Sequence, residues 1–375
     1  MTKPISEFRR AAREWLAANV PTTPSPEDGP ASREYVLAWQ RTQSQGGWAG
    51  IAWPKEVGGR GLSVLEQIVW FEEYARAGGP SPLNASFVGL NHAGPTLIAC
   101  GTPEQKQFHL PRILAGEVVW CQGFSEPGAG SDLASLRTRG RIEGDEMVID
   151  GHKIWSSFAD IGDYQELLIR TDPNAKTSAA LSWVICPMNT PGITVRPIRT
   201  MAGPAKYCEV FYDGVRIPLS NVVGGVNNGW ATAMSTLGFE RGTASLALLL
   251  GYLMKVEQLL AACPSERHEL KLRLGRLRAE GASIRAATYR FALDSEHGVP
   301  DASGSMMRLS FAEFAQRVAK AAIDLYGIDG PEVVGAHGWG HDYLDVFSET
   351  IAGGTAEIQR NIIAERVLGL PKGPR

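Results

Sequence analysis

The chain has 375 residues, of which 44% are hydrophobic and 21% charged, and its formal net charge at pH 7 is -3. This length allows two or three domains, and the composition is that of an ordinary globular protein. The small net charge and the lack of a dense Lys/Arg block exclude an electrostatic argument for nucleic-acid binding.

The cysteines and the N-terminal segment bear on the cellular compartment of the protein. The five cysteines are scattered without a CxxC pair, and no apolar run approaches the ~20 residues of a membrane span. Residues 4–20 carry arginines on an amphipathic pattern, as a transit peptide would, but they also include Glu7 and Glu14. We therefore expect an N-terminal helix in a cytoplasmic protein with reduced thiols.

Three regions follow one another along the chain. Residues 1–117 are predicted to be helical, with capping boxes at Ser63-Val64-Leu65-Glu66 and Thr102-Pro103-Glu104-Gln105. Residues 118–225 contain short β-like runs separated by Gly, Pro, Asn and Asp, which predicts an antiparallel sheet or barrel. Helical patterns return in residues 226–375. The sequence thus predicts a mainly α protein with a central β domain.

The boundary between the first two regions contains a candidate ligand loop. Residues 120–133 read WCQGFSEPGAGSDL, in which Gly128 and Gly130 allow close backbone approach and Ser125 and Ser131 supply short hydroxyls. Consecutive N–H groups in such a loop bind anions or the polar edge of a flat ring. A structural turn is the more common use of such a segment, so other motifs must decide.

Two further segments have both a chemical and a structural interpretation. Trp155 and Ser157 end a predicted strand, where they would line a planar cofactor or simply form a half-buried polar turn. Glu240 and Arg241 precede small apolar residues and are predicted to open a long helix. A carboxylate beside such a face would be desolvated toward the pKa of a general base. A solvated ion pair is the alternative.

The last motif is a glycine pair before a helix. Gly353-Gly354-Thr355 leads into a helix for which Thr355 is the predicted N-cap, and its free N–H groups suit a pyrophosphate or a thioester oxygen. No GxxxxGK[ST] or helix-opening GxGxxG occurs in the sequence. His337 and His341 have a spacing that metal ligands use, but the glycines between them argue against an aligned pair, and we predict no metal site.

In combination and order, these segments resemble the acyl-CoA dehydrogenase family over nearly the whole chain. The segments that carry the resemblance are Phe124–Asp132, Lys153–Ser157, Phe239–Arg241 and Gly354–Arg360. The resemblance implies an N-terminal helical domain, a middle β domain and a C-terminal four-helix bundle. It also implies FAD between the β domain and the bundle, with an acyl-CoA thioester beside it.

The resemblance also assigns cofactor contacts. The residues it places along the flavin ring are Gln122, Phe124, Ser125, Trp155 and Ser157. It places Ser131 at the junction of the cofactor and CoA, and Thr355 and Glu357 at the ribityl–phosphate region. Many relatives carry Gln at the last of these positions.

The resemblance also implies a catalytic base, because this chain differs from the commonest subgroup of the family at the usual position of the base. In that subgroup a Glu stands immediately before the Gly-Thr of the C-terminal motif, where this chain has Gly353. A second subgroup, resembling the isovaleryl and long-chain enzymes, has its base where this chain has Glu240. Glu240 would then remove the α-proton while hydride leaves to flavin N5. Gly353 would offer its N–H to the thioester oxygen, and Arg241 would orient the base or the ligand. A structural role for Glu240 is the alternative.

Assembly is implied by two missing motifs. Homotetrameric relatives carry Arg-x-x-Phe-Gly and Gln-x-x-Gly-Gly segments that reach a neighbour's FAD, and residues 263–278 and 326–330 lack them here. The chain is similar to heterotetrameric bacterial members acting on steroid side-chain or dicarboxylic acyl groups. We therefore expect a homologous second subunit and an electron-transfer flavoprotein-like acceptor. An acyl-CoA oxidase and a non-catalytic scaffold subunit are the alternatives.

Overall fold

The computed structural model describes residues 3–26, 29–175, 178–203, 206–240, 245–296, 303–328, 330–334 and 338–373. The helices before the sheet are α1 (Lys3–Asn19), α2 (Gly29–Gln45), α3 (Val64–Arg76), α4 (Gly94–Cys100) and α5 (Pro103–Leu114). Both predicted capping boxes are confirmed, since the side chains of Ser63 and Thr102 accept from the N–H groups of Glu66 and Gln105. These local bonds set where α3 and α5 begin.

Tryptophan rings hold the first three helices together. Trp48 and Trp70 stack with ring centroids 4.3 Å apart. Trp15 packs against both at 5.8 and 6.0 Å, and Trp39 packs against Trp15 at 5.8 Å. Aromatic side chains bury large areas in few residues, so this cluster makes a compact core for the N-terminal region.

The middle of the chain forms one sheet. Its strands are β1 (Trp120–Gly123), β2 (Arg139–Glu143), β3 (Glu146–Ser157), β4 (Tyr164–Arg170), β5 (Leu181–Pro187), β6 (Ile193–Ile198), β7 (Tyr207–Pro218) and β8 (Val222–Val223). Their order is β6-β7-β3-β2-β4-β5-β8, and β1 pairs with β4.

The sheet is mixed, whereas the sequence predicted an antiparallel one. Most neighbours are antiparallel, but β1 and β2 each pair with β4 in parallel. Parallel neighbours need a long crossover, and residues 124–163 supply it between β1 and β4. That crossover contains the candidate loop, which leaves β1 and passes beside β3, where the Ser125 carbonyl accepts from the Ile154 N–H.

The C-terminal helices are α6 (Gly229–Glu240), α7 (Ser245–Ala262), α8 (His268–Glu296), α9 (Ser303–Tyr326), α10 (Trp339–Asp345) and α11 (Ala356–Ile362). Residues of α7, α8 and α9 share one core with Ile68 of α3, which joins the N-terminal helices to the bundle. Within the described ranges, no helix is both long and apolar enough to cross a membrane.

A buried ion cluster reinforces this junction. The Glu72 side chain on α3 is fully buried and pairs with Arg9 of α1 at 2.8 Å and with Arg285 of α8. Burial opposes its ionisation, but hydrogen bonds from Arg9, Tyr289 and Arg285 hold the pKa of Glu72 below its usual value. One carboxylate on α3 therefore ties α1 to the bundle.

The helix α6 connects the sheet to the bundle. A Cβ on Gly229 would lie 2.4 to 2.5 Å from backbone atoms of Ser182 on β5, so only glycine permits this approach. Further along α6, the buried hydroxyls of Thr236 and of Thr96 on α4 lie 2.8 Å apart. These contacts set the direction of α6 toward Glu240.

Candidate functional site

A buried lysine holds the loop that follows β1. Lys153 lies on β3 with no exposed surface, and its Nζ donates to the carbonyl of Phe124 and to Glu126 Oε1, both at 2.9 Å. The Glu126 carboxylate also accepts from the N–H groups of Arg137 at 2.6 Å and Thr138 at 2.8 Å. Both buried charges are thus compensated, which a buried ion pair requires.

The contacts around the pair favour its ionised form, whereas burial opposes it. Burial lowers the pKa of Lys153 to about 8, although Glu126 raises it. Burial likewise opposes the charge of Glu126, but the Lys153 ammonium and the bonds from Thr138 hold the pKa of this carboxyl below its usual value. A charge-assisted contact of this kind restrains the loop more strongly than a neutral hydrogen bond does.

The captured carbonyls determine where the loop amides point. In a trans peptide the C=O and the following N–H are antiparallel, so the Ser125 N–H points away from Lys153. The next carbonyl, that of Ser125, accepts from the Ile154 N–H at 3.0 Å. On the loop itself, a Cβ added to Gly128 or Gly130 would meet nothing within 4 Å. The glycine positions of the loop are open to a ligand.

The end of β3 presents an aromatic ring beside this loop. Trp155 follows Ile154 directly, and its side chain is 56% exposed, unusual for a residue of this size. Its φ of 63° lies in the left-handed region, where a bulky residue is rare and often marks a functional site. The ring packs edge-on against that of Tyr207, with 6.1 Å between the ring centroids. Tyr207 lies on β7 and is the strand-pairing partner of Ser157 on β3. The structure therefore brings Ser125, Trp155 and Ser157 to one edge of the sheet.

Gln122 is oriented by two residues that the sequence analysis did not single out. Its Nε2 donates to the buried carboxylate of Glu166 at 2.8 Å and lies 3.2 Å from His92 Nδ1. The amide nitrogen therefore faces the interior and the amide oxygen the other side. Neither Glu166 nor His92 lies in a recognisable motif. Glu166 reaches Gln122 through the pairing of β1 with β4, and His92 reaches it from the helical segment Gly89–Ala93 just before α4.

A second group of predicted site residues lies at the start of α11. Thr355 is confirmed as the N-cap, because its Oγ1 accepts from the Ile358 N–H at 3.2 Å. Gly353 and Gly354 precede it with φ of 63° and 89°. Glu357 is exposed, and its pKa is held below the usual value by its own backbone amide and by Thr355.

The two groups are linked indirectly. Lys206 accepts from the Phe158 N–H through its carbonyl at 3.0 Å and pairs with Asp345 at 2.9 Å. Asp345 is the last residue of α10, and the chain reaches Gly353 eight residues later. Among the residues that the structure describes, no hydrogen bond joins the two groups directly. Ser131 lies exposed on the first loop.

The predicted base, Glu240, has a different position in its helix from the one that the sequence analysis predicted. Glu240 lies in α6, which begins at Gly229, and it therefore does not open a helix. Helix α6 begins where Gly229 meets β5, so a tertiary contact fixes the start of the helix. The Glu240 side chain, Arg241 and His337 lie outside the part of the chain that is described. In the described part, no group of three or more His, Cys, Asp and Glu residues is placed to hold a metal ion.

The Lys153 contact predicts a measurable loss of stability. Lys153→Met leaves Glu126 buried without its cation, which costs roughly 3–5 kcal/mol. The double variant with Glu126→Gln should recover much of that loss. Urea unfolding midpoints measure the effect, and Arg216→Met, which removes an exposed ion pair with Glu143 and Glu146, is the control expected to stay near wild type. Equal small shifts for Lys153→Met and the control would contradict a structural role for the pair.

Comparison with known proteins identifies the family. Models of the acyl-CoA dehydrogenase N-terminal, middle and C-terminal domains match residues 2–117, 121–215 and 227–368. Acyl-CoA dehydrogenase IpdE1 of Mycobacterium tuberculosis is 38% identical, over 98% of each chain. Among solved structures, the Tcur3481-Tcur3483 steroid ACAD is similar with a TM-score of 0.87 and 33% identity, covering 100% of this chain and 99% of its own. The ChsE4-ChsE5 complex from Mycobacterium tuberculosis has a TM-score of 0.82 and 31% identity, with 100% and 99% covered. The chain belongs to the acyl-CoA dehydrogenase family of FAD-dependent oxidoreductases that act on acyl-CoA.

Proposed function

We propose that this chain catalyses the α,β-dehydrogenation of a bulky acyl-CoA thioester, with a steroid side-chain-like or branched acyl group. The observation that carries the proposal is the backbone bond between Ile154 and Ser125, which sets the exposed ring of Trp155 beside the open glycine loop. The preference for a bulky acyl group is supported by a similar solved structure, which is a steroid ACAD.

The residues present fit the cofactor of the family. An exposed indole at Trp155, open glycine positions at 128 and 130, and a capped helix start at Thr355 suit a flat ring joined to phosphates. In this proposal, contacts along the flavin ring come from Gln122, Phe124, Ser125, Trp155 and Ser157. Ser131 lies at the junction with CoA, and Thr355 and Glu357 lie at the ribityl–phosphate region. Bound FAD supplies the acceptor for the hydride that leaves the β-carbon.

The acid–base chemistry falls to residues of the chain itself. Glu240 removes the α-proton of the thioester, and Arg241 orients that carboxylate or the ligand. The Gly353 N–H donates to the thioester oxygen, where negative charge develops as the proton leaves. A preorganised donor at that position stabilises the transition state more than the ground state. The absence of a Glu at position 353 supports this division of roles, since glycine leaves the backbone amide accessible.

We further propose that the active assembly is a heterotetramer containing two copies of this chain and two of a homologous subunit. The similarity to the ChsE4-ChsE5 complex supports a second chain. An electron-transfer flavoprotein-like acceptor and a cytoplasmic location complete the proposal. Domain boundaries are placed after residues 117 and 225, where limited proteolysis would test them.

Replacement of the proposed base should stop chemistry without removing the cofactor. Glu240→Gln keeps the size of the side chain but has no basic oxygen, so flavin reduction by acyl-CoA should slow by about 10²–10⁴-fold. Anaerobic stopped-flow absorbance measures the rate, and bound flavin is quantified in parallel. Glu257→Gln, at an exposed position on α7 that pairs with Arg278, is the control expected to behave as wild type. Near-normal reduction in Glu240→Gln would assign the base elsewhere.

Cofactor retention should depend on the second subunit. The chain produced alone is expected to hold FAD at well under one equivalent, and co-production with a homologous partner should raise this toward one per active site. Flavin absorbance against protein concentration, with mass measured by light scattering, decides the matter. One tightly bound FAD on the isolated chain would rule out the heteromeric proposal.

Acyl preference should follow the size of the pocket. Flavin-loaded protein mixed anaerobically with a steroid side-chain CoA thioester is expected to be reduced at least tenfold faster than with a straight-chain acyl-CoA. A difference of this size corresponds to about 1.4 kcal/mol of differential transition-state binding. Faster reduction by straight-chain thioesters would overturn the bulky-substrate proposal while leaving the dehydrogenase activity in place.

A further inference from the structure

The glycine pair before α11 is held by a buried side chain of that same helix. Gln359 is 1% exposed, and its Nε2 donates to the carbonyl of Gly353 at 2.9 Å and to that of Gly354 at 3.2 Å. The preceding carbonyl, that of Ala352, accepts from Arg308 Nη2 on α9 at 3.0 Å. Three consecutive carbonyls are therefore captured by two side chains.

These contacts set the direction of three consecutive amides. Each peptide C=O is antiparallel to the N–H that follows it, so the N–H groups of Gly353, Gly354 and Thr355 point away from Arg308 and Gln359. The two glycines have φ of 63° and 89°, which glycine adopts easily because it has no side chain. For the same reason, glycine by itself does not hold the backbone in this conformation. The orientation of the loop therefore depends on the side chains that hold its carbonyls.

The Gln359 amide has one orientation in this environment. Two carbonyl acceptors require the nitrogen on their side, so the amide cannot be turned over. Its Oε1 is buried, and the described part of the chain gives it no hydrogen-bond partner. An unsatisfied buried acceptor is destabilising, so Gln359 contributes less to folding stability than its burial suggests. Close contact also restricts the loop, because a Cβ on Gly354 would lie 2.7 Å from Gln359 Nε2.

We propose that Gln359, together with Arg308, is a positioning residue that aims the Gly353 N–H at the thioester oxygen. Arg308 sets this amide directly through the Ala352 carbonyl. Gln359 holds the two following peptides, so the loop cannot rotate the amide away when charge develops. The proposal rests on the proposed function, because it takes Gly353 as the donor to the thioester.

Two variants isolate the positioning contacts. Gln359→Met keeps a side chain of similar length, removes the donor to both carbonyls and also removes the unpaired oxygen, so the protein should fold with a near-normal unfolding midpoint. Arg308→Lys keeps a cation for Glu349 and removes the second arm that reaches Ala352. Gln316→Met is the matched control, since this glutamine on neighbouring α9 donates to Thr350 and does not contact the glycine carbonyls.

The decisive readout is the thioester carbonyl itself. Infrared difference spectra of a ¹³C=O-labelled enoyl-CoA bound to the flavin-loaded complex report the hydrogen bond that polarises this group. Wild type and Gln316→Met should show the same shift to lower frequency, and Gln359→Met and Arg308→Lys should show a smaller one. Because losing an oxyanion donor costs ~10²–10³-fold, a loosened one should slow flavin reduction by about tenfold or more. Thioester affinity should change less than this.

The outcomes separate this inference from the function on which it rests. An unchanged carbonyl band in both positioning variants, in protein that reduces flavin normally, overturns the role of Gln359 and Arg308 and leaves the dehydrogenase activity standing. Failure of wild type to be reduced by any acyl-CoA overturns the proposed function instead. If Gln359→Met does not fold, the Arg308→Lys spectrum alone decides the inference.

Discussion

The buried ion pair between Lys153 and Glu126 is the interaction on which the rest of the site depends. A lysine without exposed surface is stable only when its charge is matched, and Glu126 matches it with a carboxylate that is itself bound by two backbone amides. The pair joins the middle of β3 to the loop after β1. Because Ile154 bonds to Ser125 beside it, the strained Trp155 is held next to the loop rather than moving independently of it.

Both groups of predicted site residues are held by the same kind of contact. In the first group Lys153 captures the carbonyl of Phe124, and in the second Gln359 captures those of Gly353 and Gly354. In each case a buried donor turns a carbonyl inward, and the trans peptide directs the next amide the opposite way. Backbone donors held in this manner need no reorganisation when charge develops on a ligand, which is the condition for electrostatic stabilisation of a transition state.

Contacts at the junction of the three regions hold the two groups of predicted site residues in place. Helix α3 shares its core with the bundle, α6 leaves β5 through the Gly229 contact, and Lys206 ties the start of β7 to α10. The sheet edge that carries Trp155 is thereby fixed relative to the segment that carries Gly353. In the proposed heteromeric assembly, a second chain would complete the cofactor site at this same junction.

The order of helical, β and helical regions, and the caps at Ser63, Thr102 and Thr355, were determined by the sequence itself. These features depend on side-chain periodicity and on hydrogen bonds between residues three positions apart, both of which can be read locally. The same holds for the family resemblance, since its motifs are contiguous. The parallel entry of β1 beside β4, the burial of Lys153 and the start of α6 at Gly229 were decided only by the tertiary structure. Each depends on contacts between residues distant in the chain, such as Lys153 with Glu126 and Gly229 with Ser182, and a charged residue has no local signal for being buried.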